Sequence, residues 1–269
     1  MAWWKRDIND KGSRGFNLSV SENAYNEEEF QSHIVNKTQQ FRNQITQCLH
    51  KNLTTSKIAG LAFVSLPLNK TTHIIDLGGG AGLDFFVSRE IFGFDKKWTC
   101  LETEVMCDVV KKTNFRERNL QFETLSDFLD ATGEKDAFAL YANSSLQYMF
   151  DPIAVLESLL LKKPEKVAII RTPFVVKGAE MKIMQTSIMS KNGPQLNTVN
   201  GNENEISMFA RIERLSNVKK VFEKNNYQIM SENIQDGSFT RKKRFSLFED
   251  TIVKTVDILA RRIDENFRI

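Results

Sequence analysis

The residues best suited to chemistry lie together near the first third of the chain. Ile74, Ile75 and Leu77 form a short apolar run around Asp76, and glycines follow at Gly78, Gly79, Gly80 and Gly82. The pattern predicts a buried strand, a tight turn, and then a helix opening with Leu83, Asp84, Phe85 and Phe86. Glycine at such a turn admits positive φ and lets backbone approach a ligand closely. A strand that ends this way and feeds a helix N-terminus makes the ligand-binding corner of an open α/β sheet. Asp76 then decides the kind of ligand. A carboxylate beside a dinucleotide pyrophosphate is repelled, whereas beside an ammonium or a sulfonium it is attracted. The glycine spacing agrees, because the dinucleotide fingerprint requires a glycine where Leu83 stands. A purely structural turn would have little reason to carry four glycines, each of which costs backbone entropy.

The elements that position this turn read as βαβ units on both sides of it. A second strand at residues 98–102 ends in Glu102, placed to hold ribose hydroxyls; Glu102 and Glu104 also suit the start of the next helix. A third strand at 119–123 leads to a turn carrying Leu125. A fourth, at 136–141, leads to the polar loop Asn143, Ser144, Ser145, Leu146, Gln147, Tyr148. Asp151-Pro152 reads as a helix start, with the acid as N-cap and proline in the first turn. A fifth strand at 167–173 carries Arg171, either an acceptor-binding cation or a strand-end ion-pair partner. The polar stretch 192–205 reads as a flexible insertion, residues 206–225 as a helix, and 227–230 and 244–248 as antiparallel strands. A last helix is expected over Ile252, Val256, Leu259, Ile263 and Phe267. The basic run 241–244 suits a solvated edge or contact with an acidic substrate.

Ahead of the core, residues 1–25 read as irregular with isolated aromatics Trp3, Trp4, Phe16 and Tyr25. Phe30, Ile34, Phe41, Ile45 and Leu49 then recur at helical spacing. Residues 1–56 therefore form a helical segment, either a lid over the site or a helix packed on the sheet, and 57–269 form the α/β domain with its insertion at about 190–205. His33 and His50 lie in the helical segment, and His73 opens the first strand.

Composition narrows the function classes. Hydrophobic residues are 41% and charged residues 26% of 269, ordinary for a globular chain with a substantial core. A net charge of +3 is too mild to imply a nucleic-acid partner. Cys48, Cys100 and Cys107 have no metal or redox spacing, and their odd count suggests reduced thiols. The N-terminus lacks the apolar core of a signal peptide, and the most apolar window, 58–68, is too short to span a bilayer. A cytoplasmic location is the expectation.

The acid-plus-glycine turn resembles the first motif of the class I S-adenosylmethionine-dependent methyltransferases. That resemblance implies a Rossmann-like seven-stranded sheet, mostly parallel with one antiparallel strand, and S-adenosylmethionine as cofactor. Asp76, Gly78, Gly79, Gly80, Gly82, Glu102, Leu125 and Asn143 would bind it, with Leu125 against the adenine. The Asn143-Ser144-Ser145-Leu146 loop lacks the prolines and stacking aromatic of the amino methyltransferases that act on flipped bases.

A closer resemblance, over residues 74–190, is to a bacterial methyltransferase group linked to surface-polysaccharide gene clusters. It rests on Leu77 to Gly80, Glu102, Ser144 to Tyr148, Asp151-Pro152, Arg171 to Pro173 and Gln185; the group's later Tyr-Pro has only Pro194-Gln195 as counterpart. It implies a small polar or sugar-like acceptor, lined by Gln147, Tyr148, Arg171 and Gln185. If the nucleophile must lose a proton, Tyr148, His33 or a carboxylate of the N-terminal segment would take it.

Overall fold

The computed structural model describes residues 24–66, 73–93, 96–113, 115–131, 137–197, 204–241 and 251–263, with backbone alone for 236–241. The expected strand at 244–248, residues 242–244 of the basic run, and the irregular residues 1–23 lie outside them. Seven strands form one sheet in the order β3-β2-β1-β4-β5-β9-β8: Leu120–Thr124, Lys97–Glu102, His73–Leu77, Phe138–Asn143, Lys166–Lys177, Thr251–Arg262 and Tyr227–Arg241. The pairs β2/β3 and β4/β5 are parallel, while β9 runs antiparallel to both of its neighbours. The order is that of the seven-stranded Rossmann-like sheet expected from the sequence. Two further strands, β6 (Met181–Ile188) and β7 (Glu205–Ile212), pair separately.

The chain divides into two compact units. The first comprises Met1–Thr54, Ile75–Gly133 and Lys182–Ala210. It contains the helices α1 (Glu28–Asn43), α2 (Ile45–Cys48), α4 (Leu83–Phe92), α5 (Glu104–Lys112) and α6 (Leu125–Asp130). Its core is aromatic: Phe85 packs edge-on against Phe86 and Trp98, and Phe86 against Phe115. Local chemistry sets the helix ends. Gly93, at φ 67°, closes α4, and the Thr103 and Thr124 hydroxyls cap α5 and α6 by accepting from Met106 N and Asp127 N.

The second unit comprises Thr55–Ile74, Glu134–Met181 and Arg211–Ile269, with helices α3 (Thr55–Ser65), α7 (Pro152–Leu161) and α8 (Leu215–Lys224). Asp151 caps α7 by accepting from Ala154 N, and Pro152 occupies the first helical position as its sequence predicts. Strands β4 and β5 are almost wholly buried, the pattern of strands covered on both faces. No helix among the described residues is long and apolar enough to cross a membrane.

Two expected helices are corrected. Residues 252–262 are not helical but form most of β9, and Phe267 lies outside the described residues. The segment Thr251, Ile252, Val253, Thr255, Val256, Ile258 is rich in β-branched residues, whose stiff side chains suit a strand packed between two neighbours. It buries Val253, Val256, Ile258 and Ala260, not the stripe through Ile252 and Ile263. The expected helix over 206–225 splits into β7 and α8. In β7, Ile206, Met208, Ala210 and Ile212 are buried at every second position, a period of two that a helix cannot produce.

Phe86 is fully buried between Phe85 and Phe115, with the Arg89 guanidinium over its ring. Phe86→Ala should lower unfolding free energy by about 3–5 kcal/mol, as core phenylalanine truncations do, read as a lower urea midpoint with an unchanged slope.

Candidate functional site

The glycine turn in the first unit is built around two acids. Gly78, Gly80 and Gly82 have φ of 66°, 58° and 80°, the left-handed region where a side chain is strained. Gly79 is needed for space: a Cβ there would lie 2.5 Å from Asp76 Oδ2 and 2.8 Å from Cys100 Sγ. The turn is thus packed down onto the Asp76 carboxylate. Asp76 itself is 1% exposed, and the Trp98 indole N–H donates to its Oδ2 at 3.1 Å. Burial, and secondarily the Asp76 charge, push the neighbouring Cys100 thiol well above the ordinary range.

Glu102, at the end of β2, holds the turn from the other side. Its Oε1 accepts from Gly80 N at 2.6 Å, and its Oε2 accepts from Thr103 N at 3.3 Å. Burial raises its carboxyl to about 7, against the lowering effect of those two N–H donors. The helix N-cap is Thr103, so Glu102 is not spent on capping α5. Leu125 opens α6 directly after β3 and is half-buried. An added Cβ at Gly80 would meet only Ile34 Cγ2, at 3.7 Å, so α1 lies over the turn. The Tyr25 carbonyl reinforces this by accepting from Thr103 Oγ1 at 3.4 Å.

Sequence reasoning misses what α1 is tied to. Lys37 donates to the Ser190 and Asn192 carbonyls at 3.0 and 2.6 Å, and Asn52 exchanges hydrogen bonds with Gln195 in both directions. The helical segment and the loop after β6 are therefore fastened together, and burial lowers the Lys37 ammonium pKa. Gln185, on β6, is 6% exposed. No sequence signal pairs Lys37 with carbonyls about 150 residues away.

In the second unit, local strain lies just past β4 and in the middle of β5, which runs on to Lys177 and does not end near Pro173 as expected. Ser144 and Arg171 are non-glycine residues with φ of 55° and 54°, and Ser144 N donates to the Ile170 carbonyl at 2.9 Å. Arg171 sits in a bulge of the β5/β9 register, where Asp257 Oδ1 accepts from its backbone N–H at 2.7 Å. The bulge leaves the guanidinium 3.5 Å from Asn143 Oδ1. Asp257 also accepts from Ser56, Asn233 and Gln235. A lone acid inside an apolar, β-branched run is the signal that could have pointed to it. Gln147, 3% exposed, donates through Nε2 to the Ser144 carbonyl and hydroxyl, and its buried Oε1 has no hydrogen-bond partner. Tyr148, in the same 3-10 turn, is half-buried. Asn143, Gln147, Tyr148 and Arg171 thus lie within this unit, whereas Gln185 and the glycine turn lie in the other.

Among the described residues no cluster of His, Cys, Asp or Glu could hold a metal ion, and the three cysteines are buried free thiols.

No family model matches the chain, and no curated protein matches it. Similar solved structures include the YcgJ protein from Bacillus subtilis, at 10% identity, TM-score 0.47, and 78% and 98% coverage of this chain and that one. The glycopeptide N-methyltransferase MtfA complexed with S-adenosylmethionine follows at 13%, 0.46, 77% and 87%. Magnesium protoporphyrin IX methyltransferase from Synechocystis PCC 6803, with bound S-adenosylhomocysteine, stands at 13%, 0.41, 77% and 82%.

Glu102 gives stability a pH dependence of definite sign. Its folded value of about 7 exceeds the ordinary 4.5, so the folded chain holds a proton that the unfolded chain has released. Its contribution is full below about 4.5, falls as pH rises towards 7, and is flat above. Glu102→Gln should remove this decline, so the wild-type deficit relative to the variant grows between pH 5 and pH 8. Parallel urea curves at those two pH values would reveal it, and a constant difference would show that Glu102 does not titrate there.

Proposed function

We propose that this chain is an S-adenosylmethionine-dependent methyltransferase acting on a small polar acceptor. The observation that carries this reading is Glu102, a half-buried carboxylate at the end of β2 that grips the Gly80 N–H of the glycine turn. An acid fixed there suits ribose hydroxyls, because ionised Glu is an acceptor with room for more donors than Gly80 and Thr103 supply. Asp76 fits the cofactor by charge. It is buried beneath the turn, so it would act by attraction on an ammonium or sulfonium through backbone, and the same charge opposes a pyrophosphate. Gly78, Gly79, Gly80 and Gly82 would give the close backbone approach, Leu125 an apolar wall for adenine, and Asn143 a polar contact. When bound, the cofactor supplies an electrophilic methyl group.

The residues' contribution is then alignment. In-line displacement at a methyl carbon is accelerated mainly by holding nucleophile, carbon and sulfur in register. Gln147 and Tyr148 follow the carboxyl end of β4, Arg171 follows the stretch of β5 that pairs with β4, and with Gln185 they would hold the acceptor. Arginine can fork onto a carboxylate or phosphate, while Gln and Tyr read hydroxyls, so a polar or anionic, sugar-like acceptor fits this set. Cytoplasmic action on a polysaccharide precursor is consistent with these groups.

Calorimetric titration with S-adenosylmethionine and with NAD tests the cofactor. Binding of the former alone is expected, and Glu102→Ala should weaken it by about 1–3 kcal/mol, the cost of stranding hydrogen-bond partners. Unchanged affinity in a folded variant would remove Glu102 from the site. For the acceptor side, Tyr148→Phe and Arg171→Met should leave cofactor affinity within about twofold and lower turnover by tenfold or more, the range for a positioned polar group. Loss of cofactor binding in both folded variants would move this loop to the cofactor instead.

A further inference from the structure

We propose that His33 is the general base of this site, taking the proton of an acceptor hydroxyl or amine as the methyl group is transferred. The inference rests on the methyl-transfer reading and adds to it the residue that moves the proton. It thereby narrows the acceptor to one whose nucleophilic atom carries a removable hydrogen.

The geometry comes from the cap over the glycine turn. His33 lies on α1 beside Ile34, whose Cγ2 is 3.7 Å from where a Gly80 Cβ would stand and whose Cδ1 is 3.2 Å from the corresponding point at Gly193. The helix therefore touches both the turn and the loop that follows β6. One imidazole nitrogen of His33 bonds the Met189 backbone, four residues beyond the acceptor-side candidate Gln185. The other, Nε2, is buried and has no hydrogen-bond partner. A histidine that donates to a carbonyl must carry its hydrogen on the nitrogen facing it, so Nδ1 is the donor and Nε2 presents a lone pair.

A buried acceptor without a partner costs free energy that a packed helix gains nothing by retaining, unless a ligand donates to it. The charged groups acting on His33 are Lys37 and Glu29, both on α1; burial and then Lys37 favour the neutral ring. Other proton acceptors of the N-terminal segment are poorly placed. Glu27, Glu28 and Glu29 are exposed, as is His50.

In the step itself, the acceptor oxygen or nitrogen forms its bond to the methyl carbon. The carbon–sulfur bond breaks with its electron pair staying on sulfur, so the sulfonium becomes a neutral thioether, and the acceptor's proton passes to Nε2. Charge balances, since one cationic sulfonium is replaced by one imidazolium.

The test needs no identified acceptor, because S-adenosylmethionine differs from S-adenosylhomocysteine by the methyl group and one positive charge. A base one hydrogen bond from the nucleophile stands about 6 Å from the transferring methyl. Repulsion over that distance, even screened as in bulk water, lowers proton affinity by about threefold or more. Imidazole nitrogen NMR on the full chain resolves three histidines, assigned through His50→Gln and His73→Gln. At pH 7, Nε2 of His33 should be unprotonated. His33 should also titrate at least about threefold more weakly in the S-adenosylmethionine complex than in the S-adenosylhomocysteine complex. If both ligands bind by calorimetry and His33 titrates identically in the two complexes, or Nε2 carries the hydrogen, the base assignment is wrong while the cofactor reading stands. If neither ligand binds, the methyl-transfer reading fails and the base fails with it.

Discussion

The site depends on one constraint, the packing of a glycine turn between two acids that end or lie within neighbouring strands. Asp76 lies beneath Gly79 so closely that no Cβ fits, and Glu102 takes the Gly80 N–H in a short hydrogen bond. The turn therefore cannot relax toward a conformation that ordinary residues would tolerate. Both acids bear a desolvation cost, visible at Glu102 as a carboxyl raised to about 7. Trp98 offsets part of it at Asp76 by giving up its indole N–H, and the same ring anchors the aromatic core against Phe85. Core packing and site geometry thus share one side chain, and a change that loosened the core here would also misplace the turn.

A second pattern runs from the end of β4 to the bulge within β5, where Ser144 and Arg171 hold left-handed backbone without being glycine. Such conformations cost of order 1–3 kcal/mol each and persist only where surroundings over-determine them. At Arg171 that determinant is visible. Asp257 reaches across from β9 to the Arg171 N–H and is itself held by Ser56, Asn233 and Gln235. The buried carboxylate is satisfied by several donors, the condition under which a buried charge is tolerated. At Ser144 the determinants are the Ile170 carbonyl, which takes its N–H, and Gln147, which bonds its carbonyl and hydroxyl.

The parts of the fold that a one-dimensional pattern encodes were legible in the sequence. The strand–turn–helix at 73–92, the strand ending in Glu102 and the Asp151-Pro152 helix start depend on residues adjacent in the chain, and they stand where expected. The segment at 252–263 was misread because its apolar residues satisfy helical and extended spacing alike; pairing with β5 and β8 on both sides decides it, and that pairing is non-local. The alternation in β7 was present in the sequence but was absorbed into the amphipathic stripe of α8, which follows after two residues. For the site, residue types at Asp76 and Glu102 were readable. The long-range bonds that fix the surroundings were not, since Trp98 to Asp76, Arg171 to Asp257 and Lys37 to Ser190 span 22, 86 and 153 residues.

The segment over the glycine turn is held in place by contacts that are distant in sequence. Lys37, Asn52 and Gln195 fasten α1 and its following turn to the loop after β6 by hydrogen bonds to backbone carbonyls and amides. Such bonds are worth about 1 kcal/mol each, more where a charge takes part. Against the turn itself, α1 places the aliphatic side chain of Ile34, and the Tyr25 carbonyl adds a 3.4 Å contact to Thr103. On its other side α1 is held by charge as well, Glu28 pairing with Lys112 of α5 at 2.8 Å and Arg42 with Glu117 at 2.6 Å, so the segment over the turn is fastened from both directions.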